Sequence, residues 1–423
     1  FLDHFKILCI IWYSVRAFER PLVGTCISIF EKEERSERAR KENLVKFVNI
    51  KKPLEAYEII NIINKVSRNF ENDSVSIIVK KQAELQPEQK WGRYLRAPPI
   101  YFKLISNDKL VPLKEVADVR YGIKTGANVF FYLDQDKIKL WKIEKRYLKP
   151  LVTSPREVRS EIRLENLSKY VLMVHETKEE LAKKNANVLK YIEWGENAET
   201  RIKGGKKSGM IIRGFHNLSS VKSRKIWYDL GEREPAPILF SCRIWERCIF
   251  ALNTAKAQAD KSFYEIRPKK PEDTLVLAGL LNSTVTALFA ELQGRFYGGG
   301  VLELEIYECK ELPVINPDKL SVEEKKKITG AFQQLIEAER KKDKKLEEKA
   351  RKELDDIVFD ILGLSDQERH QIYEALRTLR EMRLQRKEVK VLVETEENWA
   401  PRRKRATKEK PPEPIKRLDS WLD

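Results

Sequence analysis

The side chains best suited to contact chemistry lie in the run Val119-Arg120-Tyr121-Gly122-Ile123-Lys124-Thr125-Gly126-Ala127-Asn128-Val129-Phe130-Phe131-Tyr132. Lys124 supplies a charge for a phosphate, and Thr125 and Asn128 can bond a phosphate or a base edge. Gly122 and Gly126 let the backbone approach another molecule closely. Apolar and aromatic residues flank this loop on both sides, which predicts a strand, a polar turn and a second strand. An ordinary hairpin with solvated polar tips fits the same residues. A second candidate is Arg295-Phe296-Tyr297-Gly298-Gly299-Gly300. Arg295 can take a guanine edge or a phosphate, Tyr297 can wedge beside an unstacked base, and Gly298 and Gly299 allow close approach. A helix C-cap with core aromatics is the alternative. Arg243, Lys256 and Gln258 flank apolar strand patterns, where they meet a phosphate backbone or form a solvated strand face. The basic runs Lys203–Ser208 and Arg402–Arg405 read as solvated charge, with non-specific electrostatic contacts at most.

Several other chemistries lack their residues. No phosphate-binding G-x-x-x-x-G-K-[ST] loop, G-x-S-x-G elbow or H-E-x-x-H helix occurs. Gly298 to Gly300 follow a helical pattern rather than a strand, the wrong order for a dinucleotide site. No carboxylate pair stands out as a metal-dependent nuclease centre, and no metal is expected. The 5 cysteines are odd in number and none has C-x-x-C spacing. Neither a disulfide framework nor a zinc site follows, Cys242 and Cys248 read as core residues, and a reduced cytoplasmic compartment fits. No apolar run is long enough for a membrane span. The chain opens at Phe1 and runs straight into an apolar strand, which reads as the downstream part of a longer protein. Lysine and arginine number 82 against 65 acids, a net charge of +17 that points to a polyanion, most often nucleic acid.

These groups need elements to position them. The pattern predicts strands over Lys6–Ile11, Thr25–Phe30 and Ser74–Val79, a charged stretch over 31–42, and an amphipathic helix over Leu54–Val66. Gln86–Pro99, with Trp91, Gly92 and Pro98-Pro99, reads as a linker. A helix is expected over Glu179–Ile192, and one long buried helix over Leu275–Leu292. From 317 the chain is helical. Ser321 with Glu324, and Ser365 with Glu368, form capping-box patterns, and Gly363 ends the intervening helix. Helices carrying Leu354 to Leu362 and Ile372 to Met382 are expected to pack as an antiparallel pair. The stretch 396–423 is basic, proline-containing and expected to be disordered.

The block from Phe1–Ile7 through Phe18-Glu19, then Val23 to Lys32, resembles the end of the catalytic domain in adenine-specific DNA methyltransferases of restriction–modification systems. That family (type I and type IIG-like) includes single-chain enzymes with a fused nuclease. Residues 111–160, with Tyr121–Tyr132 and Tyr147 to Glu157, resemble the opening of its target-recognition domain, and 295–313 its close. Leu354–Arg386 resembles the helical pair that follows. The resemblance implies an α/β remnant of a Rossmann-like methyltransferase sheet (1–105), an α+β target-recognition domain (106–316), a C-terminal helical segment (317–395) and a tail (396–423). It implies double-stranded DNA as partner, S-adenosylmethionine as cofactor of the full-length protein, and an N-terminal catalytic or nuclease portion or a separate catalytic subunit. The family's glycine-rich strand–turn–helix and its Asn-Pro-Pro-Tyr motif do not occur here, so this chain alone is expected to be inactive. A stand-alone DNA-specificity module and a basic RNA-associated protein are the other readings.

Overall fold

The computed structural model describes residues 1–13, 26–87, 90–201, 209–297 and 300–385, with the backbone alone at Phe296, Tyr297 and Gln385. Gly298, Gly299, the Lys203–Ser208 run and the tail from 396 lie outside the described residues. Among those described, the chain forms two compact units that alternate along the sequence. The first takes Phe1–Lys124, Pro150–Ser168 and 234–385, and the second Thr125–Lys149 and Lys169–Arg233.

The first unit opens on a mixed sheet of five strands, β1 (Phe5–Tyr13), β2 (Cys26–Lys32), β3 (Leu44–Ile50), β4 (Phe70–Glu71) and β5 (Val75–Lys81), ordered β2-β1-β3-β5-β4. Only the β1–β3 pairing is parallel. The short helix α1 (Glu37–Glu42) falls in the charge run, is capped by Ser36 and buries nothing. β3 escapes the sequence pattern because Lys46 interrupts its apolar run. The Lys46 amine donates to the Ile63 carbonyl at 2.6 Å, at the end of helix α2 (Ala56–Lys65), so the interruption is satisfied. Val48 and Ile50 pack with Ile59 of α2 on one face, and Val45 and Phe47 with Tyr94 on the other.

From Gly92 on, the expected linker over Gln86–Pro99 is instead helical, with Tyr94 and Ala97 buried. Helices α3 (Gly92–Arg96) and α4 (Pro99–Ile105) bury Tyr94, Ile100, Tyr101 and Leu104. Pro98 caps α4 and Pro99 is its first residue, where the missing N–H has no helical partner to lose.

Four short sheets follow. β6 (Leu110–Pro112) pairs with β20 (Pro313–Ile315), and α5 (Leu113–Val116) leads into β7 (Ala117–Tyr121). β7 joins β13 (Ile238–Ser241), β15 (Phe250–Leu252) and β17 (Phe263–Pro268) in the order β15-β13-β17-β7. β9 (Leu148–Val152) runs parallel to β16 (Gln258–Ala259). β14 (Arg243–Ile244), β18 (Arg295–Tyr297) and β19 (Val301–Glu303) form the fourth, ordered β14-β19-β18.

The long helix expected over Leu275–Leu292 is two, α10 (Thr274–Leu281) and α11 (Thr284–Gln293), bent by 75°. Ser283 caps the restart, and the Asp355 carboxylate receives both the Thr284 amide and its hydroxyl at 2.6 Å. After α12 (Ile306–Lys310), helices α13 (Val322–Lys341), α14 (Lys344–Ile361) and α15 (Asp366–Gln385) complete the unit. Both capping boxes form, and Gly363 takes a φ of 67° after α14. The antiparallel pair expected of α14 and α15 does not form: α14 packs along α13 and α15 along α11, and α14 and α15 touch where the Phe359 and Tyr373 ring centroids lie 5.6 Å apart.

In the second unit β8 (Tyr132–Leu133) pairs with β10 (Lys169–Leu172), and β11 (Glu199–Arg201) with β12 (Ile211–Arg213). Its helices are α6 (Asn128–Phe131), α7 (Gln135–Trp141), α8 (Lys178–Lys183) and α9 (Asn187–Asn197). The single helix expected over Glu179–Ile192 is therefore α8 and α9, separated where Asn185 takes a φ of 47°. The core is aromatic. Phe130 stacks on Tyr191 at 4.8 Å and meets Trp227 at 4.6 Å. The architecture is mixed α/β, with several small sheets and C-terminal helices. Among the described residues no single helix is long and apolar enough to cross a membrane.

Candidate nucleic-acid interface

The loop after β7 does not continue into a second strand; past Gly126 the chain makes the helical turn α6. The Gly122 amide donates to the Phe263 carbonyl at 2.9 Å and that of Ile123 to Ala259 at 2.6 Å. A Cβ on Gly122 would stand 2.3 Å from the Asp260 carbonyl oxygen, so the space that glycine frees is filled by this chain's own backbone. Lys124 is exposed, the last residue of the first unit, with its ammonium 4.3 Å over the Tyr121 ring. Thr125 opens the second unit and is buried. Its hydroxyl accepts from the Ala127 amide at 3.1 Å and donates to Asn128 Oδ1. Ser220 donates to the Gly126 carbonyl at 2.9 Å, and Arg224 to that of Thr125 at 2.7 Å. Gly126 has a φ of 74°, which a side chain would strain. Thr125 and both glycines thus build the turn, while Lys124 and Asn128 present exposed side chains.

The sheet β14-β19-β18 brings together two residues that are far apart in sequence. Arg243 and Arg295 both stand opposite Glu303, one on each side. Neighbours in such a row share a face at about 5 Å spacing. Arg243 Nε lies 3.6 Å from Glu303. Arg295 donates to the Glu308 carboxylate at 3.0 Å and to the Tyr307 hydroxyl. Glu308 is fully buried and also takes the Lys90 ammonium, which burial pulls below its ordinary value. The Tyr121 phenol is raised by burial and by the fields of Glu305, Cys242 and Glu303. Lys124 therefore sits over a ring whose hydroxyl feels the carboxylate between the two arginines.

The remaining predicted residues separate. Lys256 is exposed at φ 48°, on a turn that the Asn253 amide ties to the Ala236 and Ala257 carbonyls at 2.8 and 2.9 Å. Gln258 is 1% exposed, its side chain buried rather than displayed at the surface. Of Tyr297 only the backbone is described.

Arg159, Trp245 and Arg247 were not singled out from the sequence. They border, with Arg243, a cavity of about 390 Å³. The interleaving of cations and an aromatic in Arg243-Ile244-Trp245-Glu246-Arg247 was the available signal; nothing local links Arg159 to it. An ionic network fixes both walls. The Ser160 amide and hydroxyl donate to Glu339 at 2.8 and 3.0 Å, and Arg340 is bidentate to Glu161 at 2.9 and 2.7 Å. Burial pushes the Glu161 carboxyl up, but hydrogen bonds from Arg340 and Thr254 with the Arg340 charge outweigh it and leave it below its ordinary value. Arg351 joins Glu339 to Glu347, which also holds Arg247. Arg383, 1% exposed, is bidentate to Glu291 at 3.0 and 2.8 Å and donates to the Trp245 carbonyl at 2.7 Å and to that of Gly300.

Burial raises the Cys242 thiol to about 11 and that of Cys248 to about 12, the opposite of a reactive thiolate. Among the described residues no group of three or more His, Cys, Asp and Glu side chains could hold a metal ion.

Residues 88–359 match the family "Type II methyltransferase M.Eco57I, C-terminal domain". The chain belongs to that family. It is also 26% identical over 276 residues to the Type II methyltransferase M.AccI of Acinetobacter calcoaceticus, covering 62% of this chain and 45% of that protein. The chain thus spans less than half the length of this curated relative. The type IIG restriction endonuclease BpuSI is a solved structure that it resembles at 14% identity and a TM-score of 0.43, over 85% of this chain and 44% of that one. The M.Eco57I-type assignment rests on the family match, which runs from the buried α3–α4 segment into α14 and contains the whole β14-β19-β18 sheet.

Proposed function

We propose that this chain carries the duplex-DNA-reading part of a site-specific, S-adenosylmethionine-dependent DNA adenine methyltransferase of a restriction–modification system. The observation that carries this reading is the cationic row on the small sheet, Arg243 and Arg295 flanking Glu303, with Lys124 over the neighbouring Tyr121. Glu303 orients the Arg243 guanidinium, and Glu308 with the Tyr307 hydroxyl orients that of Arg295, so little rotamer freedom is lost when a phosphate arrives. Arg243, Arg295, Lys124 and Lys256 would take phosphates, with either arginine also able to take a guanine edge, and Asn128 a base edge. Holding the duplex matters because rotating an adenine out of the stack costs a few kcal/mol that other contacts must supply. In this reading 1–105 ends the catalytic domain, 106–316 reads the site, 317–395 supports it, and 396–423 adds basic charge.

S-adenosylmethionine would supply the methyl group. The residues present do not fit it. Neither the glycine-rich strand–turn–helix nor Asn-Pro-Pro-Tyr occurs. Ala97-Pro98-Pro99 opens α4 and offers no polar side chain for an adenine amino group. No methyl-transfer step is therefore assigned to this chain.

The test is equilibrium binding of labelled duplexes at several salt concentrations. Lys124→Ala should weaken every duplex about equally and lower the salt slope by about one. Asn128→Ala should instead relax discrimination at one base position. If both bind like the parent, or structured RNA binds more tightly than duplex DNA throughout, the reading is wrong.

A further inference from the structure

The cavity between the Pro155–Arg159 stretch and residues 240–249 has a composition that duplex gripping does not require. One part of its lining is apolar, with Val158, Phe240 and Ile249 beside the Trp245 indole, itself 49% exposed. The other part is cationic. Arg243 and Arg247 are each offset by a carboxylate, Glu303 and Glu347, whereas exposed Arg159 has no ion-pair partner among the described residues. Glu246 is the acid in the lining and offers an acceptor for a base N–H.

Guanidiniums are matched to phosphate oxygens, and an open indole face to a planar base. The volume of about 390 Å³ lies at the small end of ligand pockets, room for one mononucleotide and not for a dinucleotide. Both walls are set before any ligand arrives. The buried Arg383 holds the Trp245 carbonyl, and Glu339 holds Ser160 next to Arg159. Pre-set walls spare the ordering cost of binding.

We infer that this cavity binds a single nucleotide unit, its phosphate on Arg159 and Arg247 and its base stacked on Trp245. A base within a duplex has both faces covered by its neighbours, so the site cannot be filled by intact duplex and does not depend on the duplex-reading proposal. The nucleotide is either one unstacked from a strand or a free nucleoside monophosphate.

The experiment uses the full chain and four probes: deoxyadenosine monophosphate, inorganic phosphate, a fully paired duplex, and the same duplex with one bulged nucleotide. The monophosphate should bind roughly tenfold more tightly than phosphate, the share expected of one base on an aromatic face. Arg159→Ala should weaken both by roughly tenfold, as for loss of a charged hydrogen bond. Trp245→Ala should bring the monophosphate down to the phosphate level and leave phosphate unchanged, and Trp245→Phe should restore most of the difference. A strand source shows as tighter binding of the bulged than of the paired duplex, lost in Trp245→Ala. A free-nucleotide source shows as monophosphate binding without bulge preference. The proposal is overturned if Arg159→Ala and Trp245→Ala alter neither monophosphate nor bulged-duplex binding while both variants keep the parent's thermal midpoint. Failure of the duplex reading would look different: Lys124→Ala and Asn128→Ala would leave paired-duplex binding unchanged.

Discussion

The first unit sets its cations on buried carboxylates, whereas the second sets its polar groups against aromatic rings. Glu161, Glu291, Glu308 and Glu339 each lie inside the first unit and each hold a guanidinium or ammonium at its surface or core. In the second unit the Lys137 amine stands 5.9 Å from the Tyr191 ring centroid and 5.7 Å from that of Trp194, and donates to the Val129 carbonyl at 2.8 Å. The Tyr191 hydroxyl donates to the Phe130 carbonyl at 2.7 Å. Ionic anchoring fixes the direction of a charge and leaves its outer face positive, which suits a polyanion. Aromatic packing fixes shape without adding charge. The difference teaches that a stretch of chain such as Lys124-Thr125 can divide its labour at one peptide bond, with a displayed cation on one side and a buried framework hydroxyl on the other.

The strongest way to break this contrast is Arg383→Ala. It leaves Glu291 buried against Arg380 alone, 3.8 Å away, and should cost about 3–5 kcal/mol in urea unfolding followed by far-UV circular dichroism. A cost below about 1 kcal/mol would mean that the first unit does not depend on its ionic core. The matching change in the second unit is Tyr191→Phe. It strands one neutral carbonyl, so the same measurement should show about 1–2 kcal/mol.

Acid sharpens the comparison. Glu161 and Glu347 have carboxyls pushed up by burial but pulled further down by their arginines, to below the ordinary 4.5. A depressed folded-state value contributes stability above the unfolded value and loses it as pH falls below about 4.5. Asp355 acts in the opposite direction, because burial raises it and protonation relieves that penalty. Glu176 in the second unit shifts down like Glu161, but its side chain is 27% exposed where that of Glu161 is 6%. Glu161→Gln should therefore lessen the loss of first-unit stability between pH 4.5 and 3, and unfolding monitored across that range checks it. The smallest expected effect on stability is that of Lys124→Ala, within about 0.5 kcal/mol. A larger shift in its thermal midpoint would make Lys124 part of the framework.

Periodicity and capping made much of this fold legible. Ser321 and Ser365 announce their helices because a hydroxyl followed three residues later by glutamate satisfies two end amides at once. What stayed hidden depended on partners remote in sequence. Lys46 disguises β3 until the Ile63 carbonyl is in view. Pro98 and Pro99 suggest a break, yet proline is compatible with a helix start. The local cap at Ser283 is masked by the apolar runs on both sides of it, and the Asp355 contact from another helix completes the bend. At the candidate site, Arg243, Arg295 and Lys124 were legible as cations on apolar or glycine-bounded segments. The neighbour Glu303 that the two arginines share, and the meeting of Arg159 with Trp245 at one cavity, are products of the tertiary fold that no local pattern encodes.

The pairing of β7 with β17 carries a consequence for how the chain is made. Every described residue of the second unit is translated after β7 and before β13, β15 and β17. On the ribosome the inserted unit therefore has its described parts in hand while the host sheet still waits for three of its four strands. During that interval β7 presents an unpaired edge, the kind of surface that invites pairing with a neighbouring nascent chain. Synthesis arrested just past Arg233 would leave β7 without β17, so soluble yield is expected to fall unless elongation carries Phe263–Pro268 clear of the ribosome.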